Sequence, residues 1–353
     1  MKKITINELE SLSIGAAILG SGGGGDPFYN KLMAKYQIEK HGPINIISVD
    51  DLSTDDIIVP IGIMGAPLVT IEKLPSGKEF LSMFSEIEKY FGKKPKAIMP
   101  AEIGGSNGFV PLIVAGILGL PILDADLMGR AFPELQMISA NLKGVSQCPA
   151  FITDALGKCQ IIEASDSSML EKQARNIAVS MGSSAAVSIY FMNGKQIKDS
   201  TICGSISRAL EIGDLILNAR SNKLDPIKTL VEKTKGIIIG SGIITNIDQS
   251  IKDGFLKGSV TISNDLDEII LYYQNENLIA YLNDQIVTTT PDIIIPLDSE
   301  NGTAITSESL AYGLRVSVVA LPSPKIWTTP QGLNLVGPRY FGYDIDYKPI
   351  NGI

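Results

Sequence analysis

The sequence predicts an α/β protein of two domains: an N-terminal domain with a mainly parallel sheet and flanking helices, and a second α+β, strand-rich domain. Three observations carry this prediction. The 353 residues exceed what one hydrophobic core usually holds. Between Ile44 and Leu123, short apolar runs alternate with helix-spaced segments, the order that builds parallel sheets with right-handed crossovers. From Gly236 onward, strand patterns follow one another closely. The expected division is 1–165 and 166–330, with a tail, 331–353, packing back on the N-terminal domain.

Taken in order, Thr5-Ile6-Asn7-Glu8 is a capping-box pattern, and Leu9, Leu12, Ala16 and Leu19 form a helical stripe behind it that ends near Gly20. Ser21-Gly22-Gly23-Gly24-Gly25-Asp26-Pro27 follows, with Asp26 suited to an N-cap and Pro27 to the first position of a second helix reaching about Tyr36. Strands are predicted over Ile44 to Val49, Ile57 to Ile63, Lys96 to Met99 and Pro121 to Leu123. Amphipathic Lys78 to Phe91 and apolar Asn107 to Leu118 are predicted helices. Beyond them come a hairpin around Leu156-Gly157, a helix over Met169 to Met181, a strand from Ala185 to Phe191, and helices at Gly204 to Ala219 and Ile227 to Lys233. The remaining strands are Gly236 to Ile244, Leu256 to Ile262, Glu268 to Gln274, Asn277 to Leu282, Ile293 to Leu297 and Arg315 to Ala320.

Composition narrows the function classes. Hydrophobic residues make up 44% and charged residues 19%, so a substantial core is available and disorder is excluded. A net charge of −8 and a pI near 4.9 disfavour nucleic acid and anionic membranes as main partners, leaving a small molecule. No signal-peptide pattern is visible, and the longest apolar stretch, Gly108 to Leu120, falls short of the roughly 20 residues a bilayer span needs. Cys148, Cys159 and Cys203 lack metal or disulfide spacing, which fits a cytoplasmic protein. The single histidine, His41, is expected in an exposed turn, which argues against a histidine-based zinc site or a Ser-His-Asp triad.

Chemistry is concentrated between Ala97 and Met137. Glu102-Ile-Gly104-Gly105-Ser-Asn107 and Asp124-Ala-Asp126 follow successive predicted strands, Gly62-Ile-Met-Gly65-Ala-Pro67 follows another, and ligands of open α/β sheets bind beyond the carboxyl ends of strands. Gly104 and Gly105 let backbone approach a ligand. Asn107 could cap the next helix or present its amide. Asp124 and Asp126, two apart in extended chain, should face the same way; with Glu102 they could share a proton as acid and base, or hold a divalent metal ion. Each carboxylate alone would read as a solvated cap or a salt bridge. Arg130 could anchor a substrate carboxylate, with Glu134 four residues on; an ion pair is the plainer alternative.

The Gly22 to Gly25 run is not a nucleotide loop, since a helix rather than a strand precedes it, and no nucleotide cofactor is expected. Its amides could converge on an anion beside the next helix, or simply connect two helices. Near the C-terminus, Trp327, Arg339 and Tyr343 could clamp a flat ligand or pack as core.

The glycine run ending in Asp26-Pro27, Pro100 to Asn107, Asp124 to Glu134, Thr290-Pro-Asp292 and Gly337 to Asp344 resemble, in that order, the S-methyl thiohydantoin desulfurase family. The resemblance runs from the first helix to the tail. It implies two domains and an association with hydantoinase and oxoprolinase-type ring-opening enzymes. The activity the resemblance implies is that of a hydrolase acting on a hydantoin-like ring, with water replacing the sulfur substituent at the isothiourea carbon; from the residues themselves, Asp124 or Asp126 would be the base and Glu102 its partner. Gly22, Gly23, Gly24, Gly25, Asp26, Gly104, Gly105, Asn107, Arg130 and Glu134 would bind substrate. The alternatives are a non-catalytic subunit of a hydantoinase- or oxoprolinase-type complex, or a small-molecule binding or regulatory protein; the partner would be a second copy of the chain or a hydantoinase-type subunit.

Overall fold

A computed structural model describes residues 2–65, 69, 72, 74–252 and 254–350. The chain divides into two compact units, and the division is not a single cut. The first comprises Met1–Glu10, Pro27–Met128 and Glu134–Ser207; the second comprises Ser11–Asp26, Gly129–Pro133 and Arg208–Ile353. Residues 166–207 belong with the N-terminal segments, while the glycine run and Gly129–Pro133 belong with the C-terminal ones.

The first unit is built on a mixed sheet. Its strands are β1 (Lys2–Ile4), β2 (Ile44–Ile47), β3 (Ile57–Gly65), β4 (Ala97–Pro100), β5 (Ile122–Leu123), β7 (Ala150–Thr153), β8 (Cys159–Ile162), β9 (Ser184–Ser188) and β10 (Met192–Asn193). Between β5 and β7, β6 (Ala125–Asp126) pairs only with β11 (Ile202–Cys203). The main path runs β1-β2-β5-β4-β3-β9-β7-β8, and its centre, β2-β5-β4-β3, is parallel as predicted. The flanking strands are antiparallel.

Two expectations change here. Gly62 to Gly65 is not a ligand loop; it continues β3 and pairs with Ser184 to Val187 of β9, while Ala66 and Pro67 lie outside the described residues. That same pairing draws 184–188 into this unit. A partner about 120 residues away cannot be read from local periodicity.

Helices cover the sheet where their apolar stripes predict. Lys78–Phe91 buries Phe80, Met83, Phe84 and Ile87 and stops at Gly92, whose φ of +67° ends the helix without a side-chain clash. Each of those side chains contributes roughly 1.5–3 kcal/mol by leaving water. Val110–Leu118 carries Pro111 in its first turn, where the missing N–H costs nothing, and its first seven residues are buried. Phe28–His41 is longer than expected. Its N-cap is Pro27 rather than Asp26, and it makes His41 a helix terminus instead of a turn residue.

The second unit holds a seven-stranded antiparallel sheet. Its strands are β12 (Ile237–Lys252), β13 (Phe255–Ser263), β14 (Glu268–Gln274), β15 (Glu276–Leu282), β16 (Gln285–Thr289), β17 (Ile293–Asp298) and β18 (Arg315–Leu321), in the order β16-β15-β14-β13-β12-β18-β17. Alternate residues such as Val260, Ile262, Leu271 and Val318 form its core. The tail joins this unit rather than the first. Lys348 exchanges hydrogen bonds with Thr288 and Thr289, and the Ile350 N–H donates to Asp292 Oδ2 at 3.1 Å. Among the described residues, no helix is long and apolar enough to cross a membrane.

Candidate functional site

In the first unit, adjacent parallel strands β4 and β5 end side by side, and their following segments hold Glu102 and Asp124. Glu102 is 9% exposed. The Asn107 side-chain nitrogen donates to its Oε1 at 2.7 Å. The same amide donates to the Ile63 carbonyl at 3.1 Å and accepts from the Ile63 N–H at 2.8 Å, imitating one rung of a β-ladder at the end of β3. Asn107 thus neither caps the helix from Val110, whose N-cap is Phe109, nor stands ready as a lone amide. It ties the Glu102 carboxylate to the sheet.

The loop between them is held from both sides. Gly104 and Gly105 open a 3-10 turn over Gly105–Phe109. The Asn30 side chain, 2% exposed, donates to the Ser106 carbonyl at 2.9 Å. Asn30 carries no signal by residue type; its only cue in the sequence is the four-residue stripe it shares with buried Ala34 and Ile38. Asp126 is fully buried. Its Oδ2 accepts from the backbone N–H of Ile103 at 2.9 Å and of Met128 at 3.3 Å, fixing the chain on either side of Leu127, whose own N–H donates to Ala101. Buried carboxylates that collect backbone donors hold loops in place.

Asp124 has different partners. Its carboxylate accepts from the Ser207 N–H at 3.1 Å and from the Ser207 hydroxyl at 2.5 Å, and its carbonyl accepts from Gly204. This caps the first turn of the helix Ser205–Ser221. The carboxylate trio therefore separates into Glu102 with Asn107, Asp126 with backbone, and Asp124 with Ser207. Among the described residues no group of three or more His, Cys, Asp or Glu side chains could hold a metal ion. Glu134 accepts from the Gln136 amide. The Cys148 thiol, half-buried, accepts from the Ala164 N–H, and burial pushes its pKa up, the opposite of an activated nucleophile.

In the second unit the glycine run connects two helices and packs against the start of β15. The Ser21 carbonyl accepts from the Asn277 N–H at 2.7 Å and from its side chain at 3.0 Å, and Gly22 accepts from the Ser307 N–H at 2.7 Å. A side chain at Gly22 would meet the Asn277 amide, and one at Gly23 would sit 2.1 Å from Glu276 Oε1. The carboxylate beside this loop is thus the chain's own Glu276, 2% exposed. Glu276-Asn277, polar residues beginning a buried strand, are the sequence cue for this contact. Asp26 lies next to Glu308. Burial pushes the Glu308 carboxyl above its usual range and the Asp26 charge adds to this, while hydrogen bonds from its own N–H, Thr306 and the Asp26 backbone partly offset them.

Arg130 finds backbone partners within the second unit. It is fully buried; its guanidinium donates to the carbonyls of Ala131 at 2.9 Å, Pro291 at 2.5 Å and Asp292 at 2.9 Å, and stacks 4.5 Å from the Phe132 ring. Phe132 in turn meets Trp327 edge to face at 5.1 Å. The expected clamp of Trp327, Arg339 and Tyr343 is not formed: Trp327 is core, Arg339 pairs on the surface with Asp344 and Asp346, and Tyr343 stands near Tyr272.

Family models described as the S-Me-THD-like N-terminal domain and the S-Me-THD-like C-terminal domain match residues 7–164 and 164–350. No curated protein matches the chain. A solved structure of a protein from Chromobacterium violaceum, a structural genomics target, is similar in fold, with a TM-score of 0.81, 23% identity, and coverage of 99% of this chain and 100% of that one.

Proposed function

The chain belongs to the S-Me-THD-like family, whose two domain models together span residues 7–350, and from that premise we propose that it is a hydrolase of hydantoin-like rings. In the proposed reaction the oxygen of water adds to the ring carbon that bears sulfur. The C–S bond then breaks, the thiol leaves with a proton, and the ring carbon is left as a carbonyl.

Glu102 is the proposed general base. The observation that carries this is its pairing with Asn107: a nearly buried carboxylate with one oxygen fixed to the sheet edge is oriented before substrate arrives. Asn107 and Asp126 are positioning residues. Asn107 holds Glu102, and Asp126 holds the backbone on which Glu102 sits. The backbone amides of Gly104 and Gly105, in the turn that follows Glu102, are the proposed donors to the developing negative charge. Asp124 is left out of the chemistry because both its oxygens serve Ser207.

The test is thiol release from S-methyl thiohydantoin by the purified chain. Glu102→Gln should lower kcat by about 10²–10⁴, the usual contribution of a general base. A purified chain that releases no thiol alone, yet does so with a hydantoinase-type partner, would establish the accessory-subunit reading instead.

A further inference from the structure

The face of the second unit's sheet turned away from its core carries two cross-strand rows fixed by register. Asp248 of β12 stands opposite Ser259 of β13, which stands opposite Tyr272 of β14. Two residues along, Ser250, Lys257 and Gln274 form the next row. Strand alternation sends these six to one face, because Val260 and Leu271, which flank the first row, and Tyr273, which lies between the two rows, belong to the core. Ordinarily such a face is open to water. Here Phe341 and Tyr343, from the C-terminal segment, stand over it and leave a cavity of about 310 Å³.

The chemistry of the walls is specific. Tyr343 lies 6.1 Å from Tyr272, ring centre to ring centre, with the planes at 62°, so the cavity has aromatic surface on two sides. Its floor carries the hydroxyls of Ser250 and Ser259 and the amide of Gln274. Lys252 and Lys257 line it against a single carboxylate, Asp248. The volume sits at the small end of the range that takes compact organic ligands. Aromatic faces receive a flat ring, hydroxyl and amide groups pair with ring N–H and C=O groups, and a lysine excess favours one negative charge.

We propose that this cavity binds a small planar heterocycle carrying one carboxylate. The proposal uses none of the residues on which the hydrolase reading rests, so each can fail without the other. The experiment is calorimetric titration of the full chain with three probes: orotate, a planar ring with a carboxylate; uracil, the same ring without it; and glutarate, carboxylates without a ring. Orotate should bind at least tenfold more tightly than either of the others. Lys257→Gln should weaken orotate at least tenfold, and Ser259→Trp, which fills the cavity from its floor, should abolish binding while the circular dichroism spectrum stays that of the parent. Absence of orotate binding at millimolar concentration, equal affinity for uracil, or undiminished binding by the Ser259→Trp chain would each overturn the proposal. Should Ser259→Trp fail to fold, Tyr272→Ala takes its place, and unchanged orotate affinity in that variant has the same consequence.

Discussion

Asn107 closes a two-way hydrogen-bonded pair with the backbone of Ile63, at 2.8 and 3.1 Å, and directs the remaining N–H of its amide to Glu102 Oε1 at 2.7 Å. One side chain thus joins the end of a parallel strand to the proposed base. Asn107→Leu should remove both functions. Three hydrogen bonds are lost and backbone groups of Ile63 are left needing partners, so stability should fall by about 1–3 kcal/mol in urea unfolding. Turnover should fall with it through kcat. An unchanged kcat in the folded variant would show that Glu102 needs no such orientation.

Arg130→Met should cost stability rather than substrate affinity. The buried carbonyls of Ala131, Pro291 and Asp292 lose a charged donor, a loss of roughly 3 kcal/mol or more. Denaturant midpoints measure this directly. A raised KM with undiminished stability would restore the substrate-anchor role.

Gly23→Ala should destabilise by about 1–3 kcal/mol, because its new methyl would occupy the space of the Glu276 carboxylate. Glu276→Ala makes room. In a double-mutant cycle the two changes should therefore couple by more than about 0.5 kcal/mol, whereas simple additivity would mean that the contact carries no strain.

Glu308 makes stability depend on pH in a definite direction. Its folded pKa is raised above the ordinary value of 4.5, first by burial and then by Asp26, so the native state binds the proton more tightly than the unfolded chain. Stability from this group is complete below the unfolded pKa and declines as pH rises through the folded one. Glu308→Gln should thus raise the melting temperature at pH 7 relative to the parent, with the gain shrinking as pH falls toward 4. A gain that grew at low pH would reverse the assignment.

Asp124→Asn should cost about 1 kcal/mol or less as a weakened cap on the helix from Ser205 and leave thiol release within a few-fold of the parent. A loss comparable to that of Glu102→Gln would return Asp124 to the catalytic group.

The sequence by itself determined the local elements. The helix Lys78–Phe91 follows from its spacing of Phe80, Met83, Phe84 and Ile87 and from Gly92, the parallel strands β2, β4 and β5 follow from short apolar runs between helices, and the Thr5–Glu8 capping box forms as its residue types require. It also determined the family, because the order of its polar segments is distinctive over the whole length. Only the tertiary structure decided what each polar residue does. Glu102, Asp124 and Asp126 are equivalent as letters, yet one meets Asn107, one meets Ser207 and one collects backbone N–H groups. Those partners lie between 2 and 83 residues away, beyond what periodicity of 2.0 or 3.6 can report. The same holds for residues 184–188, which extend the first unit's sheet through β3. Hydrophobic patterning says which face is buried; what a buried carboxylate, amide or guanidinium is for depends on the donors and acceptors that folding brings to it.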